Sequence, residues 1–428
     1  MTSKTSASEK EAFVWIWLPN ETVPVVAGRL ESDNDNILFN YGKSYLERVN
    51  DSKLVMPVYE PELPLASGAL PLLDGLTMPG CIRDAARADW GGRVLINKKL
   101  GLKNAGTDTA ELSELTYLLE SGSDRIGALD FQRSPTEYVP RSANNVSMAE
   151  LIESAERVEQ GVPLTPELDQ ALFHGSSIGG ARPKALIQDQ GKKYVAKFSS
   201  STDLYSVVKA EFIAMRLAAI AGLNVAPVKL ARAANKDVLL IERFDRLSKS
   251  SASDQKDWSR KAMVSALTIL GLDDMMARYA SYEKFAEIIR RRFSAPKDTL
   301  RELFSRLVFN ILCGNTDDHA RNHAAFWNGT ELTLTPAYDI CPQGRTGNEA
   351  SQAMLISGSN NLSQLKSCLD AAKHFLLSEE EARAIFAHLI SSIEQHWQSV
   401  CDEAGLSDVD KSLLWGRQFL NPYSIEIE

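Results

Sequence analysis

The sequence has few cysteines and no long apolar run. Its 428 residues include five cysteines, and none of them forms a Cys-x-x-Cys pair: Cys81, Cys313, Cys341, Cys368 and Cys401. An odd number of scattered cysteines is not a disulfide framework, which favours a reducing compartment. No apolar stretch reaches the roughly 18 residues that a membrane-spanning helix requires, and the polar first residues lack the apolar core of a secretory signal. We therefore expect a cytoplasmic protein with no membrane contact.

An excess of positive charge is also lacking. The chain has 47 Lys and Arg against 56 Asp and Glu, a formal net charge of −9. This balance argues against a protein that wraps extensively on nucleic acid. The triplet Arg290–Arg292 leaves a local basic patch open, although a solvated helix face is the simpler interpretation. A hydrophobic content of 44% and a charged content of 24% are ordinary for a soluble globular protein, and the length allows two or three domains.

The apolar pattern predicts an α+β protein. Residues 1–11 are polar and are predicted to form a disordered tail. Strand-like runs and loops rich in proline and glycine then indicate a small α/β module over residues 12–105. Residues 106–245 combine helical patches with a hairpin, whose second strand is Lys193–Phe198. Residues 246–428 are mostly helical, because apolar positions there recur at helical spacing.

The segment Asn315–Asn322, Asn-Thr-Asp-Asp-His-Ala-Arg-Asn, carries the most specific chemical pattern. Asp317 precedes Asn322 by five positions, an Asn-Gly hairpin follows over residues 324–335, and Asp339 comes soon after it. A protein kinase needs such a set, because one aspartate accepts the proton of the acceptor hydroxyl while an asparagine and a second aspartate reach Mg²⁺. Hard oxygen ligands suit Mg²⁺, which keeps several of its waters. The spacing therefore predicts a kinase-like site with Asp317 as the base.

Features upstream follow in the order expected of a kinase. A Gly-rich turn over residues 175–180 precedes the hairpin, and the backbone N–H groups of such a turn can bind phosphate. Lys197 lies in the apolar second strand, where a kinase places the lysine that contacts the α- and β-phosphates. Glu211 on the following helix is its candidate partner. Glu242–Arg246 ends the next apolar strand, at the hinge position where backbone groups meet the adenine.

Each of these features also has a simpler explanation. Asp317 could merely cap a helix, Lys197 could lie on a solvated strand face, and most Gly-rich turns bind nothing. His319 and His323, close to Asp317 and Asp318, also suggest a metal-dependent phosphohydrolase. That enzyme would need further ligands, and the remaining histidines show no such arrangement: His174, His374, His388 and His396. The order of the elements, more than any single one, favours the kinase.

Together these segments resemble the HipA-like serine/threonine kinases, the toxins of HipBA-type toxin–antitoxin pairs. The resemblance extends over nearly the whole chain and rests on residues 175–184, 195–198, 242–246, 315–322, 338–340 and 416–423. Residues 82–95 are similar to a signature of the family's N-terminal subdomain, although Ala-Asp-Trp-Gly-Gly departs from it in detail. The resemblance implies that subdomain over residues 12–105, followed by a divergent bilobal protein-kinase-like fold. Its N-lobe-like region is 106–245 and its helical C-lobe is 246–428.

The resemblance also implies the roles of individual residues. Asp317 is expected to be the catalytic base, and Asn322 and Asp339 are expected to hold Mg²⁺. The ATP site is expected to be lined by Gly179, Gly180, Ala181, Arg182, Pro183, Lys184, Lys197, Glu242, Arg243, Phe244, His319, Ala320, Arg321, Asn322, Tyr338 and Asp339. Autophosphorylation in the Gly-rich turn, which inactivates the family's kinases, matches Ser177, with its neighbour Ser176 as second choice. A phosphate there adds roughly −1.5 to −2 charge where the ATP phosphates must lie.

The partners expected from the resemblance are a DNA-binding HipB-type antitoxin and, mainly through it, operator DNA. Family members phosphorylate aminoacyl-tRNA synthetases, glutamyl-tRNA synthetase among them, and this halts translation and causes growth arrest or persistence. The sequence has no motif that names the substrate. Two other functions stay open: a pseudokinase that acts as corepressor with a DNA-binding partner, and a kinase of small molecules or lipids.

Overall fold

A computed structural model describes most of the chain. The described residues are 9–51, 53–86, 112–141, 184–189, 191–199, 203, 205–233, 236–249, 257–345 and 347–426. The Gly-rich turn, with Ser176, Ser177, Gly179, Gly180 and Ala181–Pro183, lies outside them, as does most of residues 82–95. Helices and strands are both abundant, which confirms the predicted α+β class. Among the described residues, no helix is long and apolar enough to span a bilayer.

The strands, in chain order, are β1 Glu11–Ile16, β2 Val25–Asp33, β3 Asn36–Tyr41, β4 Ala69–Leu70, β5 Leu129–Gln132, β6 Lys184–Asp189, β7 Lys192–Phe198, β8 Val228–Ala233, β9 Lys236–Glu242, β10 Arg246–Lys249, β11 Asp257–Arg260, β12 Ala262–Ser265, β13 Ala324–Trp327 and β14 Leu332–Leu334. The α-helices are α1 Lys43–Leu46, α2 Gly80–Ala86, α3 Glu114–Glu120, α4 Val207–Ile220, α5 Ala266–Ile269, α6 Tyr282–Arg292, α7 Pro296–Leu312, α8 Leu365–Ala371, α9 Glu379–Glu403, α10 Asp408–Leu414 and α11 Pro422–Ile425.

The chain divides into two compact units that interleave in sequence. The first contains the chain up to Phe198 together with Asp245–Met263 and Trp327–Thr330. The second contains Ser199–Phe244, Val264–Phe326 and Glu331–Glu428. Because segments from the middle of the chain belong to the first unit, the units are not continuous stretches of sequence. The predicted boundaries at residues 105 and 245 stay predictions.

The first unit is built on an antiparallel five-stranded sheet in the order β4-β3-β2-β1-β5. Alternating residues of β1 and β3 are buried, as expected for strands with one face on the core. Gly28 of β2 is required by its neighbours, since a Cβ there would lie 2.1 Å from the backbone oxygen of Asn40 and 2.6 Å from the ring of Phe39. Glycine at this position therefore allows strand β3 to approach β2 closely.

A buried ionic group lies beside this sheet. Arg125 and Asp130 have no exposed side-chain surface, and Arg125 Nε donates to Asp130 Oδ1 at 2.9 Å. Arg141 Nη2 donates to the same oxygen at 3.0 Å, and the Tyr138 hydroxyl donates to Asp130 Oδ2 at 3.0 Å. Burial alone raises the pKa of Asp130, but the charges of Arg125 and Arg141 outweigh it and hold this pKa below its usual range.

The hairpin predicted in the first unit is present. Strands β6 and β7 pair antiparallel with Lys184 opposite Lys197. The alternation along β7 buries Tyr194, Ala196 and Phe198. Lys197 is also buried, with 6% of the residue exposed. A lysine is rarely buried to this degree without a partner for its charge, so the solvated-face interpretation of Lys197 is wrong.

The second unit packs helices around α7, whose apolar stripe is fully buried. Helix α9, with 25 residues, begins with a capping box, in which Ser378 Oγ accepts from Glu381 N and Glu381 accepts from Ser378 N. Hairpin β8–β9 also belongs to this unit. Strands β12, β13 and β14 form a three-stranded sheet in that order. The triplet Arg290–Arg292 forms the last turn of α6, with Arg290 and Arg291 exposed, as the helix-face interpretation predicted.

Candidate active site

The segment that carries Asp317 begins where α7 ends. Gly314, with φ +72°, takes a left-handed conformation that stops the helix. A Cβ on Gly314 would lie 2.8 Å from the backbone oxygen of Gln418, so the C-terminal segment approaches the helix end closely. Leu420 N donates to Leu312 O at 2.8 Å, which satisfies a carbonyl that the helix end leaves open. The loop that follows is therefore held both by the end of α7 and by the C-terminal segment.

A buried network of hydrogen bonds anchors residues 315–323, which we call the catalytic loop. Asp318 is 2% exposed, and His323 Nε2 lies 2.9 Å from its Oδ1. The Tyr282 hydroxyl donates to Asp318 Oδ2 and lies 3.0 Å from His323 Nε2. Burial alone would raise the pKa of Asp318, but the charge of His323 and the hydrogen bonds from His323 and Tyr282 outweigh it, so this pKa lies below its usual range. Burial and Asp318 raise the pKa of Tyr282 well above its ordinary value, which keeps the hydroxyl protonated as a donor.

Asp317, in contrast to Asp318, is exposed. Its backbone oxygen accepts from Asn322 Nδ2 at 3.2 Å, and Asn322 N donates to His319 O at 2.8 Å. The loop therefore folds back on itself and brings the two predicted residues together. The surrounding protein withdraws the Asp317 carboxyl partly from water and raises its pKa; His319 lowers this pKa, and the carboxylates of Asp339 and Asp318 raise it. A carboxylate that is accessible and more basic than usual is suited to accept a proton.

The hairpin β13–β14 returns the chain to this loop, as predicted. The Tyr338 hydroxyl donates to Arg321 O at 2.7 Å, and Asn315 Nδ2 donates to Asp339 O at 3.4 Å. Asp339 has φ +61°, a left-handed conformation that costs a non-glycine residue of order 1–3 kcal/mol. Such strain persists where the surroundings fix it. The Asp339 carboxylate lies close enough to Asp317 for its charge to raise the pKa of Asp317.

Phe244 joins the same group of residues from the end of β9. Its ring lies 5.7 Å from that of Tyr338 and 5.9 Å from that of Phe326, measured between centroids. Glu242 and Phe244 are half-buried, and Arg243 is buried. The segment Glu242–Phe244 thus meets Tyr338 through the ring of Phe244, and Tyr338 and Asp339 meet the catalytic loop, which carries Asp317 and His319–Asn322.

Other predicted residues lie on other elements of the chain. Lys184 and Lys197 face each other across the β6–β7 hairpin of the first unit. Glu211 lies in α4 of the second unit and is 3% exposed, a burial that requires a charged or hydrogen-bonding partner. Gly179–Pro183 and both candidate phosphorylation sites lie outside the described residues.

The network beneath the loop was not predicted from the sequence, where Asp318 and His323 suggest only possible metal ligands and Tyr282 has no assigned role. The signal for Asp318 is its position next to an exposed aspartate on a loop that follows a buried helix. Tyr282 gives no signal of this kind, because it lies 36 residues before Asp318 in the sequence.

The donors present fit Mg²⁺. Because Asn322 uses Nδ2 for Asp317, its Oδ1 points away from that contact and is available as a hard oxygen ligand. Asp339 supplies a carboxylate, and two protein oxygens suffice for an ion that keeps most of its waters. In the described part of the chain, no group of three or more His, Cys, Asp or Glu side chains is arranged to hold a metal.

Comparison with known proteins adds independent information. The model of the HipA-like C-terminal domain family matches residues 176–397, just over half of this chain. The putative kinase Y4mE of Sinorhizobium fredii is 28% identical over 158 residues, which cover 35% of this chain and 34% of that protein. The serine/threonine-protein kinase toxin HipA of Shewanella oneidensis is 27% identical over 186 residues, which cover 38% of this chain and 42% of the toxin. The similarity spans less than half of the length of either relative.

A solved structure extends the match to the whole fold. A chain of the Shewanella oneidensis MR-1 complex of HipA, HipB and operator DNA superposes with a TM-score of 0.68 at 20% identity, covering 93% of this chain and 97% of that one. At this identity the likeness shows the fold, and it confirms the predicted kinase-like architecture. The family match, the two sequence relatives and the common fold agree with one another. This chain belongs to the family of proteins with a HipA-like C-terminal domain.

Proposed function

We propose that this protein is a serine/threonine protein kinase that transfers the γ-phosphate of ATP to a protein hydroxyl. The observation that carries the proposal is the meeting of Asp317, Asn322 and Asp339 at one loop of the second unit. Relatives named as kinases support the same activity. A phosphohydrolase would need additional metal ligands, whereas one base and two oxygen donors are what phosphoryl transfer requires.

In this mechanism Asp317 is the base. Its exposed carboxylate receives the proton of the acceptor hydroxyl, and its raised pKa makes it a better acceptor than an ordinary aspartate. Asn322 orients Asp317 through the backbone and, with Asp339, provides the oxygens for the metal. When bound, Mg²⁺ would neutralise charge that develops on the phosphates. The buried Asp318 holds the loop and does not meet the substrate.

The residues proposed to bind the nucleotide are those expected from the sequence. Phe244 and Tyr338 offer aromatic faces, and Glu242 and Arg243 offer backbone groups, at the adenine end. Lys184 and Lys197, with Glu211 as the candidate partner of Lys197, and the turn Gly179–Pro183 are assigned to the phosphates by their order in the sequence. His319 to Arg321 complete the proposed lining.

The biological setting is proposed from the relatives. One relative carries the name of a kinase toxin, and the matching structure contains HipB and operator DNA. We therefore propose a toxin that a HipB-type antitoxin neutralises, in a complex that represses its operon. An aminoacyl-tRNA synthetase, such as glutamyl-tRNA synthetase, is the proposed substrate. Phosphorylation of Ser177, with Ser176 as second choice, is proposed to switch the kinase off by placing negative charge where the ATP phosphates lie.

The test compares two aspartates of the second unit. The protein is treated with phosphatase, repurified and incubated with Mg²⁺ and γ-labelled ATP. Asp317→Asn should reduce phosphoryl transfer by about 10²–10⁴-fold, the usual effect of removing a general base. Asp370→Asn on α8, which is also exposed, should leave it unchanged. Equal activity of the two variants would refute the assignment of Asp317, and a wild type without any transfer would refute the kinase. Mass spectrometry of Ser177→Ala and Ser176→Ala identifies the self-modified serine.

A further inference from the structure

An exposed apolar surface lies on a segment whose other residues contact the catalytic loop. It consists of Met275, Met276 and Tyr279, which are 79%, 43% and 45% exposed and which we call the apolar patch. Met275 is the most exposed of the large apolar side chains in the described residues. The patch has a fixed shape, because Met276 N donates to Asp273 Oδ1 at 2.8 Å and Tyr279 N donates to Met276 O at 2.9 Å. The turn that carries these three side chains is therefore ordered, and the side chains are exposed to solvent.

Three contacts join this turn to the catalytic loop. Before it, Ala266 N donates to His323 O at 2.7 Å. Within it, Asp274 forms an ion pair with Arg321. After it, the Tyr282 hydroxyl donates to Asp318. The patch thus belongs to a segment that contacts the loop carrying Asp317 before, within and after the turn.

The apolar character of the patch indicates which kind of molecule binds there. Exposed apolar side chains that are contiguous mark interaction surfaces, and methionine adapts its shape to different apolar partners. Nothing apolar is needed to bind ATP phosphates or Mg²⁺, so the nucleotide does not explain the patch. The other substrate of a protein kinase is a polypeptide, whose hydroxyl must reach Asp317 and whose neighbouring residues must then cover the surface around the catalytic loop.

We propose that the apolar patch is the docking surface for the acceptor protein, and that it binds apolar side chains close to the phosphorylated serine or threonine. This inference rests on the proposed kinase function and adds the chemical class of the acceptor segment. Arg278, whose guanidinium lies 5.1 Å from the Tyr279 ring, borders the patch and adds a positive charge at its edge. The acceptor segment that fits is apolar, with acidic residues tolerated beside it.

The experiment changes the patch and leaves the site intact. Met275→Ser, Met276→Ser and Tyr279→Ser are combined in one variant, and Val409→Ser on α10, another apolar residue with 71% exposure, is the matched control. Basal ATP hydrolysis without acceptor reports on the site itself. Phosphorylation of a phosphatase-treated cell extract, and of a degenerate peptide library with a fixed serine or threonine, reports on docking.

The triple variant should hydrolyse ATP with the wild-type KM and rate but label extract proteins at least about tenfold less, the effect of removing several apolar anchors from an interface. The control should match the wild type in both assays. Peptides or extract sites labelled by the wild type should be enriched in apolar residues beside the acceptor.

Four results would overturn the inference. They are unchanged extract labelling by the triple variant, loss of its basal hydrolysis in the folded protein, labelled sites without apolar neighbours, and a hydrolytically active wild type that labels no other protein. If light scattering shows a wild-type dimer that the triple variant dissolves without loss of labelling, the patch joins two copies and the inference is wrong. A wild type that neither hydrolyses ATP nor transfers phosphate fails at the proposed kinase function instead.

Discussion

Removal of a single hydroxyl group, in Tyr282→Phe, should weaken both the stability and the activity of the second unit. Tyr282 is fully buried, and its hydroxyl donates to Asp318 while lying 3.0 Å from His323 Nε2. Phenylalanine keeps the ring and its packing against His323, so the change removes the hydrogen bond and little else. Asp318 Oδ2 then remains buried without this donor.

The magnitude follows from the charge of the acceptor. A hydrogen bond to a charged group contributes about 1.5–3 kcal/mol, against roughly 1 kcal/mol for a neutral pair. The low pKa of Asp318 means that this carboxylate is charged in the folded protein, so the larger range applies. We expect the free energy of unfolding to fall by about 2 kcal/mol. Asp318→Asn removes the charge itself and should cost about 3–5 kcal/mol, as for other broken buried pairs.

Activity should fall because Asp318 adjoins Asp317 in the chain. A displacement of about 1 Å at a reacting group can lower the rate about 10²-fold, so a loosened loop should reduce the rate of transfer more than the KM for ATP. The assays are urea unfolding and phosphoryl transfer at saturating ATP. Tyr279→Phe, which removes a hydroxyl from a tyrosine that is 45% exposed, is the control. If the two variants show the same unfolding midpoint and the same rate, the network does not position the loop.

Two further predictions concern positions away from the reacting groups. Gly314→Ala should lower the free energy of unfolding by about 1–3 kcal/mol, because the residue needs positive φ and a Cβ would meet Gln418. Gly344 has open space around it, so Gly344→Ala should not lower the free energy of unfolding. Equal unfolding midpoints of the two variants would contradict the role of Gly314. Asp130 has a lowered pKa in the folded protein, so its contribution to stability is present above the unfolded pKa of about 3.9 and is lost as pH falls through the folded value. The stability difference between wild type and Asp130→Asn should therefore be largest near neutral pH and shrink on acidification, while exposed Asp35→Asn should give a difference that is small at every pH; a constant difference for Asp130→Asn would contradict this.

Local patterns predicted the elements around the site well. The hairpin β13–β14 follows from Asn328-Gly329, and Gly329 does adopt the positive φ that such a turn needs, at +103°. The apolar stripe of α7 is an equally local signal. The meeting of Asp317, Asn322 and Asp339 was predictable because a short loop and a short hairpin connect all three.

Features that depend on distant residues were not predictable. The burial of Asp318 depends on Tyr282, which lies in helix α6, and no spacing pattern in the sequence connects these two residues. The burial of Arg125 depends on Asp130 and on the strand that carries it. The interleaving of the two units arises because Asp245–Met263 packs with the first unit after the chain has already entered the second. Such long-range choices depend on the packing of whole elements, which residue spacing does not encode.

The contact between Leu420 and the end of α7 has a consequence for biosynthesis. A ribosome makes Asp317, Asn322 and Asp339 well before it makes Gln418 and Leu420, which support the start of the catalytic loop. A growing chain therefore holds its catalytic residues for a time without the segment that fixes them. The proposed phosphoryl transfer would therefore begin only after the C-terminal segment has been made.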